Sequence, residues 1–596
     1  MSLVAIQHYQ NELQKVKDYS GSTKETAIRN SFYNLLNHYA SQNGLILIPE
    51  LSIKTSTGRT ITPDGTLKDS LRLDWGYWES KDEDDDIDLE IKKKFAKGYP
   101  KDNILFEDSQ TAVLFQGGRE VIRADVQNAL ALDSLIKSFV NYQRPEVANF
   151  RAAIELFKSD IPNVVTALRN MINEQLGYGE QGLVAENKST VNQKFITKLL
   201  EFHEICKQSI NPEITLDDIN EMMIQHILTA DIFNTIFDEP YFHRENNIAK
   251  QLETVINTFF TRQIRENLLS KINIYYQAIN VAAAGIADHH EKQKFLKIVY
   301  ENFYKSYNPK AADRLGVVYT PNEIVRFMIE STDYLLHKHF GRFLSDKNVE
   351  ILDPATGTGT FICDLIDYLP KDKLEYKYKN EIHANEVAIL PYYIANLNIE
   401  FTYKQRMEEY AEFKNLCFVD TLDNMGFDYK NKVDELFSVS AENTERIKKQ
   451  NERKISVIIG NPPYNANQMN ENDNNKNREY PIIDKRIKDT YIKHSTAQKT
   501  KVYDMYSRFY RWAMDRIGDE GVIAFITNNS FINARTFDGF RKTIQEEFDY
   551  AYIIDLGGNI RELSGKDGIF LNEKNTIFGV SAAVGIAIMF LVKIKD

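Results

Sequence analysis

The spacing of apolar positions divides the chain into three stretches. Near the N-terminus, Lys24 to Gln42 places Phe32, Leu35, Leu36 and Tyr39 at helical intervals. Short apolar or alternating runs follow at Leu45–Ile48, Leu71–Glu79, Ile104–Phe106 and Ala112–Phe115, and these predict strands. From about residue 130 to about residue 310 the pattern is almost wholly helical, with few glycines and prolines. From Arg314 onward strands and helices alternate, as in a doubly wound α/β domain. The domain expectation is therefore an α/β unit at 1–128, a helical connector at 129–312 and a second α/β domain at 313–596. Two segments stand out inside the last. Asn465–Asn477 is asparagine-rich and polar, which predicts a long loop that packs only when something binds. Thr576 to Val592 is apolar but rich in small residues, which predicts one or two buried strands near the end of a parallel sheet rather than a membrane anchor.

Composition narrows the class. A hydrophobic share of 43% with 27% charged residues is that of a globular chain with real cores. Cys206, Cys363 and Cys417 are far apart and form no CxxC pair, which argues against a disulfide framework or a cysteine-rich zinc site. With no signal-peptide layout at the N-terminus, the expectation is a cytoplasmic protein without membrane partners. The net charge of −12, from 73 basic and 85 acidic residues, is not the footprint of a bulk polyanion binder. Any nucleic acid must be held by local basic surfaces.

Two motifs in the last stretch carry chemistry. Asp353-Pro354-Ala355-Thr356-Gly357-Thr358-Gly359-Thr360-Phe361 sits between an apolar strand, Val349–Leu352, and an apolar helix, Ile362–Tyr368. Glycines at a strand-to-helix turn let backbone approach a ligand at the carboxyl edge of a sheet, although such a turn alone is a weak signal. Asn461-Pro462-Pro463-Tyr464 ends the strand Ser456–Ile459. An exocyclic amine on adenine is a poor nucleophile because its lone pair is delocalised into the ring. The Asn461 side-chain oxygen and the Pro462 carbonyl can both accept hydrogen bonds from that amine and stabilise the positive charge that grows during attack. The Tyr464 ring can stack on a base flipped from the duplex, and two prolines stiffen the turn. Taken alone, a Pro-Pro turn beside a buried tyrosine would explain the same letters; the glycine motif makes that reading the weaker one.

From these motifs, residues from about Arg314 onward resemble the gamma-type amino-methyltransferases of DNA. The resemblance implies a Rossmann-like class I methyltransferase fold and S-adenosylmethionine as cofactor. It places Tyr319-Thr320-Pro321 at the methionine moiety, with Asp353, Ala355, Gly357, Gly359 and Phe361 in the cofactor loop. Glu386, at the end of the next strand, would take the ribose hydroxyls, and Asp420 in Phe418-Val419-Asp420-Thr421 the cofactor's adenine amine. The implied partner is double-stranded DNA with one adenine flipped out. Methyltransferases acting on release-factor glutamine or on RNA bases share the Asn-Pro-Pro-Tyr signature. The downstream basic residues Lys485, Arg486, Lys488, Lys493, Lys499 and Lys501, with Tyr491 and Tyr503 among them, favour DNA, since they can hold phosphates beside a flipped base. An ordinary solvated helix face would read the same.

A second constellation lies near the N-terminus. Asp64 follows a turn in Thr62-Pro63-Asp64-Gly65, and Glu79 and Lys81 lie two apart on one strand, so they share a face. Two carboxylates can hold Mg²⁺, and a lysine beside them can orient the attacking water. The arrangement resembles the PD-(D/E)xK endonucleases, with Glu25 and Gln116 as further candidates. The acidic run Glu83–Glu90 reads as a solvated helix start. The order of nuclease, helices and methyltransferase resembles single-chain Type IIG restriction-modification enzymes and the nuclease end of Type ISP enzymes. It departs from the latter in having no GxxxxGK[ST] phosphate loop. It departs from both in stopping at Asp596, near the end of the catalytic sheet, so a target recognition domain or a separate specificity subunit is expected to complete it. Three rival readings stay open: a methyltransferase whose nuclease fold has degenerated, a non-enzymatic cofactor- or partner-binding fragment, and methylation of RNA or protein.

Overall fold

The computed structural model describes residues 2–20, 25–54, 59–68, 74–142, 145–177, 192–210, 214–236, 246–261, 263–264, 269, 273–284, 320–424, 438–464, 479–496, 502–557 and 585–595. The chain separates into two compact units, residues 1–156 with 274–298, and residues 157–273 with 299–596.

The first unit is built on a six-stranded sheet. Its strands are β1 (Ile46–Pro49), β4 (Gly65–Lys68), β5 (Asp74–Ser80), β6 (Asn103–Glu107), β7 (Thr111–Gln116) and β8 (Arg119–Asp125), adjacent in that order. A separate two-stranded ribbon pairs β2 (Ile53–Lys54) with β3 (Thr60–Ile61). Within the large sheet only β5 and β6 run parallel, joined by the helix Ile87–Ala96; the remaining pairs are antiparallel. One face buries Leu67, Trp78, Leu105 and Leu114 under the helices Ser2–Ser20, Glu25–Gln42 and Ala129–Asn141. The other face packs Tyr77, Ile104, Phe106 and Val113 against Ile87 and Ile91. The strands expected at 45–48, 104–106 and 112–115 are present, and the one expected at 71–79 is seen from Asp74. β8 was not expected: its burial pattern is mostly exposed, so its sequence lacks the apolar alternation that marks a strand. The helix Ala129–Asn141 lies past the expected boundary at 128. It inserts Leu132, Leu135, Ile136 and Phe139 into the first core. The acidic run begins the helix Ile87–Ala96, with the Asp86 carboxylate capping the amides of Asp88 and Leu89.

The second unit holds a seven-stranded sheet. It contains β9 (Glu350–Asp353), β10 (Ile382–Glu386), β11 (Leu416–Phe418), β12 (Ile455–Gly460), β13 (Ile517–Asn528), β14 (Tyr550–Gly557) and β15 (Ile586–Lys593). Their order in space is β11-β10-β9-β12-β13-β15-β14. The five strands β9 to β13 are parallel to one another, and the strand order reverses between β9 and β12. Ligands of open α/β sheets bind at such a reversal, outside the carboxyl ends of the strands. β15 is buried, as the apolar run from Thr576 predicts, but the expected parallel edge is corrected. β15 pairs antiparallel with both β13 and β14 and is the second strand from the edge. A strand buried on both faces reads alike in either direction, so direction was not in the sequence. Residues 576–584 lie outside the described residues.

The helices Gln193–Ser209, Leu216–Ile236 and Asn247–Ile256 pack within this same unit. Asn246 donates to Asn396 Oδ1 (2.9 Å), and the Asp420 amide to the Ile210 carbonyl (3.2 Å). Cys206, Cys363 and Cys417 are buried and form no disulfide. Among the described residues no helix is long and apolar enough to cross a membrane.

Candidate active sites

At the strand-order reversal, the carboxyl ends of β9 and β12 bring the two motifs together. Asp353 ends β9 and Asn461 follows Gly460 at the end of β12. The approach is so close that a Cβ on Gly460 would come within 2.8 Å of Asp353 Oδ1. Thr421 Oγ1 donates to the Pro354 carbonyl (2.6 Å), which ties the segment after β11 to the same loop. Gly357 and Gly359 take left-handed φ values of 58° and 87°, which favour glycine. Space beside Gly357 is open, with nothing within 4 Å of where its Cβ would stand. The loop is held from behind, since Asn398 Nδ2 donates to the Thr358 carbonyl (2.9 Å). Asn398 was not singled out from sequence, because it belongs to no motif, and Thr421 was quoted beside Asp420 with no role of its own.

The pocket is acidic. Asp353 is fully buried; its Oδ1 accepts from the Ala355 amide (3.1 Å) and its Oδ2 has no partner. Burial pushes this carboxyl up to about 8; the Ala355 amide opposes the shift and the Glu386 charge adds to it. Glu386 accepts from the amides of Gly357 (2.8 Å), Val387 (3.0 Å) and Ala388 (2.8 Å). Burial raises Glu386 to about 7 against those three bonds, with the Asp420 charge adding. Asp420 accepts from the Tyr480 hydroxyl (3.0 Å). Three carboxylates at the carboxyl ends of three adjacent strands, with an unsatisfied acceptor, suit a ligand that brings hydroxyl donors and positive charge. S-adenosylmethionine, with its ribose, amino group and sulfonium, has that character.

The Asn461 amide is oriented by Thr320, whose Oγ1 accepts from Nδ2 at 2.8 Å. This leaves Asn461 Oδ1 buried without a hydrogen-bond partner. Pro462 is buried behind it, and Pro463 and Tyr464 are half-buried. Burial raises the Tyr464 phenol well above its ordinary value, with the Tyr510 charge adding and the Asn461 side chain opposing. Pro321 caps the helix Asn322–Phe340, and Phe361 is buried in the first turn of the helix Thr360–Tyr368. Tyr319, the loop Asn465–Asn477, Lys499 and Lys501 lie outside the described residues.

The basic segment divides. Lys485, Lys488 and Lys493 are exposed. Arg486 instead forms a bidentate pair with Asp515 (2.8 and 2.6 Å). Tyr491 is fully buried in the core, so it is not a surface for stacking bases. Charge is legible in sequence, but a π-helical turn at Lys488–Ile492 decides which side chains face inward.

In the first unit, the register Gly65↔Trp78 continues to place Asp64 opposite Glu79, so the two carboxylates share a face. Asp64 accepts from the Ser80 amide (2.9 Å) and from Arg29 (3.0 Å). Glu79 is fully buried. Its Oε2 takes Lys81 Nζ (3.1 Å) and Lys94, while Oε1 has no partner. Lys94 was missed, though a signal existed. It lies seven and three residues after Ile87 and Ile91, the buried positions of its helix, which puts it on the inward face. Gln116 is not at this site. It sits at the opposite end of the sheet, bonded to Asn103 (3.0 Å) and the Ser138 carbonyl (3.1 Å). Glu79 aligns with Phe106 and Val113, three positions from Gln116, so about 10 Å of strand separates them. The side chain of Glu25 lies outside the described residues. Among the described residues no group of three or more His, Cys, Asp or Glu could hold a metal. A divalent ion there would rest on Asp64, Glu79 Oε1 and water, a donor set that suits Mg²⁺.

Residues 344–560 match the family of the Eco57I restriction-modification methylase. Residues 156–291 match the coupler domain of Type ISP restriction-modification enzymes. The chain is 51% identical to the protein of the cryoEM DrdV–DNA complex, with a TM-score of 0.69 over 99% of this chain and 56% of that one. It is 32% identical to a nuclease-deletion mutant of the Type ISP enzyme LlaGI in complex with a DNA substrate mimic, with a TM-score of 0.64 over 79% of this chain and 36% of that one. It is 24% identical over 258 residues to the Type II methyltransferase M.BstVI of Geobacillus stearothermophilus, covering 40% of this chain and 38% of that protein. The chain thus spans about half or less of the length of these three relatives.

Proposed function

We propose that this chain is a restriction-modification protein that methylates adenine N6 in double-stranded DNA with S-adenosylmethionine and cleaves DNA at a separate Mg²⁺ site. The observation that carries the methyltransferase reading is the buried, unpartnered Oδ1 of Asn461 beside the cofactor loop. A buried acceptor left unsatisfied costs about 1–3 kcal/mol, and an exocyclic N–H donor entering the pocket removes that penalty. S-adenosylmethionine, when bound, supplies an electrophilic methyl group. Asp353, Ala355, Gly357, Gly359 and Phe361 form its loop, with Glu386 and Asp420 taking hydroxyl and amine donors and Tyr319, Thr320 and Pro321 closing the methionine end. Asn461 Oδ1 and the Pro462 carbonyl accept hydrogen bonds from the two amine N–H groups and favour the tetrahedral amine that attacks. Pro463 stiffens the turn and Tyr464 stacks on the base. Thr320 keeps the Asn461 oxygen, not its nitrogen, turned to the base. At the nuclease site Asp64 and Glu79 hold the ion and Lys81 orients the attacking water. The nuclease match rests on the register that aligns Asp64 with Glu79 and on the orphaned Glu79 Oε1.

The experiment is transfer of labelled methyl groups from S-adenosylmethionine to mixed-sequence duplex DNA, followed by base mapping, with RNA and protein substrates in parallel. N6-methyladenine at one motif is the expected result. Label on RNA or protein alone would refute the DNA reading. Cofactor binding without transfer to any DNA would favour a chain that acts only with a separate specificity subunit.

A further inference from the structure

The PD-(D/E)xK resemblance uses one lysine, yet the site holds two. Lys94 comes from the helix Ile87–Ala96 rather than from the strand that carries Glu79 and Lys81. Its ammonium pairs with the same Glu79 oxygen that accepts from Lys81, while the other oxygen accepts nothing. Lys94 also sits over the Tyr99 ring, 4.7 Å from its centroid, and donates to the Tyr99 hydroxyl at 3.2 Å. That hydroxyl in turn donates to the Thr62 carbonyl (3.3 Å), in the turn that leads into Asp64. Arg29 completes the charges around the pair, bonding both Asp64 and Glu50.

Resting on the nuclease reading of this site, the geometry points to Lys94 as a positioning residue that changes partners. Without metal it neutralises Glu79. When a divalent cation takes Glu79 it is released to a DNA phosphate. The charge balance requires this. Three cations, Arg29, Lys81 and Lys94, face three carboxylates, Asp64, Glu79 and Glu50, and Glu79 is completely buried. A buried carboxylate is stable only when paired. A divalent ion satisfies it without Lys94 and leaves an excess of positive charge next to the scissile region. Of the two lysines, Lys94 is the one able to leave. Its side chain is 18% exposed against 7% for Lys81. Lys81 is further tethered by the Ser80 carbonyl. The phenol at Tyr99 gives the departing ammonium a second anchor, and its freed charge suits a phosphate oxygen.

The test uses the full chain with two substitutions, Lys94→Met and Lys94→Arg, and reads binding rather than cleavage. Mn²⁺ is titrated by electron paramagnetic resonance without DNA, with Glu79→Gln as the control that defines the site. Duplex affinity is then measured in Ca²⁺ over a range of salt. Lys94→Met removes the competing cation, so Mn²⁺ should bind at least about tenfold more tightly. The same variant should bind duplex more weakly in Ca²⁺, its salt slope shallower by about one phosphate contact. Lys94→Arg should retain most of the duplex affinity. If Lys94→Met leaves Mn²⁺ affinity unchanged while Glu79→Gln weakens it, the exchange is refuted and the nuclease reading stands. If Glu79→Gln binds Mn²⁺ as the parent does, the metal site itself is refuted and the exchange with it.

Discussion

At the residue scale, the two proposed sites depend on single polar atoms whose surroundings are fixed. Asn461→Ala removes the only acceptor that Thr320 orients. Methyl transfer should fall by about 10²–10³-fold in kcat, the range seen when one preorganised hydrogen-bonding group is lost. Cleavage should persist in that variant, and Lys81→Ala should show the reverse. Loss of both activities in either folded variant would contradict two separate sites. Thr320→Val tests orientation rather than chemistry. It should lower kcat by about tenfold, and Thr320→Ser should restore it. Asp353 and Glu386 give a pH signature. Their folded values, about 8 and about 7, lie above the ordinary carboxylate range because of burial. The folded state therefore holds protons that the unfolded state releases, and these groups favour folding most at low pH. Their contribution is complete below the ordinary carboxyl values and declines as pH rises to about 8. A cationic ligand reverses the shift, so S-adenosylmethionine should release protons on binding near pH 6.5. Calorimetry in buffers of different ionisation enthalpy reads that release directly; proton uptake would contradict it.

At the element scale, the helix Ala129–Asn141 is built into the core of the first unit. It carries Leu132, Leu135, Ile136, Phe139 and Val140 into the core, and Trp75 Nε1 donates to its Val140 carbonyl (2.8 Å). Phe139→Ala should cost about 3–5 kcal/mol. A fragment ending at residue 128 should be molten in near-ultraviolet circular dichroism, and one ending at residue 142 should be folded. Equal folding of both would show that the helix is dispensable. The strand β15 is the counterpart in the second unit. Buried between β13 and β14, it keeps residues 586–592 out of solvent. The edge β8 shows why sequence misses some strands. Hydrogen bonding to β7 makes it a strand, whereas its side chains face mostly water.

At the scale of the whole chain, the helices between residues 192 and 256 are more than a spacer. The Ile210 carbonyl holds the Asp420 amide, and His226 meets Tyr393 at 3.2 Å, so this helical layer braces the cofactor side of the second sheet. What the sequence determined by itself was local chemistry and period. The glycine turn after Asp353, the Asn-Pro-Pro-Tyr end of β12 and the Asp64, Glu79, Lys81 spacing are each written within one short stretch. A turn with left-handed φ favours glycine wherever it occurs, and side chains two apart on a strand share a face in any fold. The tertiary structure decided everything that joins distant stretches. It turned the Asn461 oxygen free by bringing Thr320 to its amide, 141 residues away. It put Lys94 on Glu79 and Gln116 at the far end of the same sheet. It set β15 antiparallel and buried Tyr491. Periodicity tells which face of an element is apolar; which partner that face meets is set by long-range packing, and no single stretch of sequence contains it.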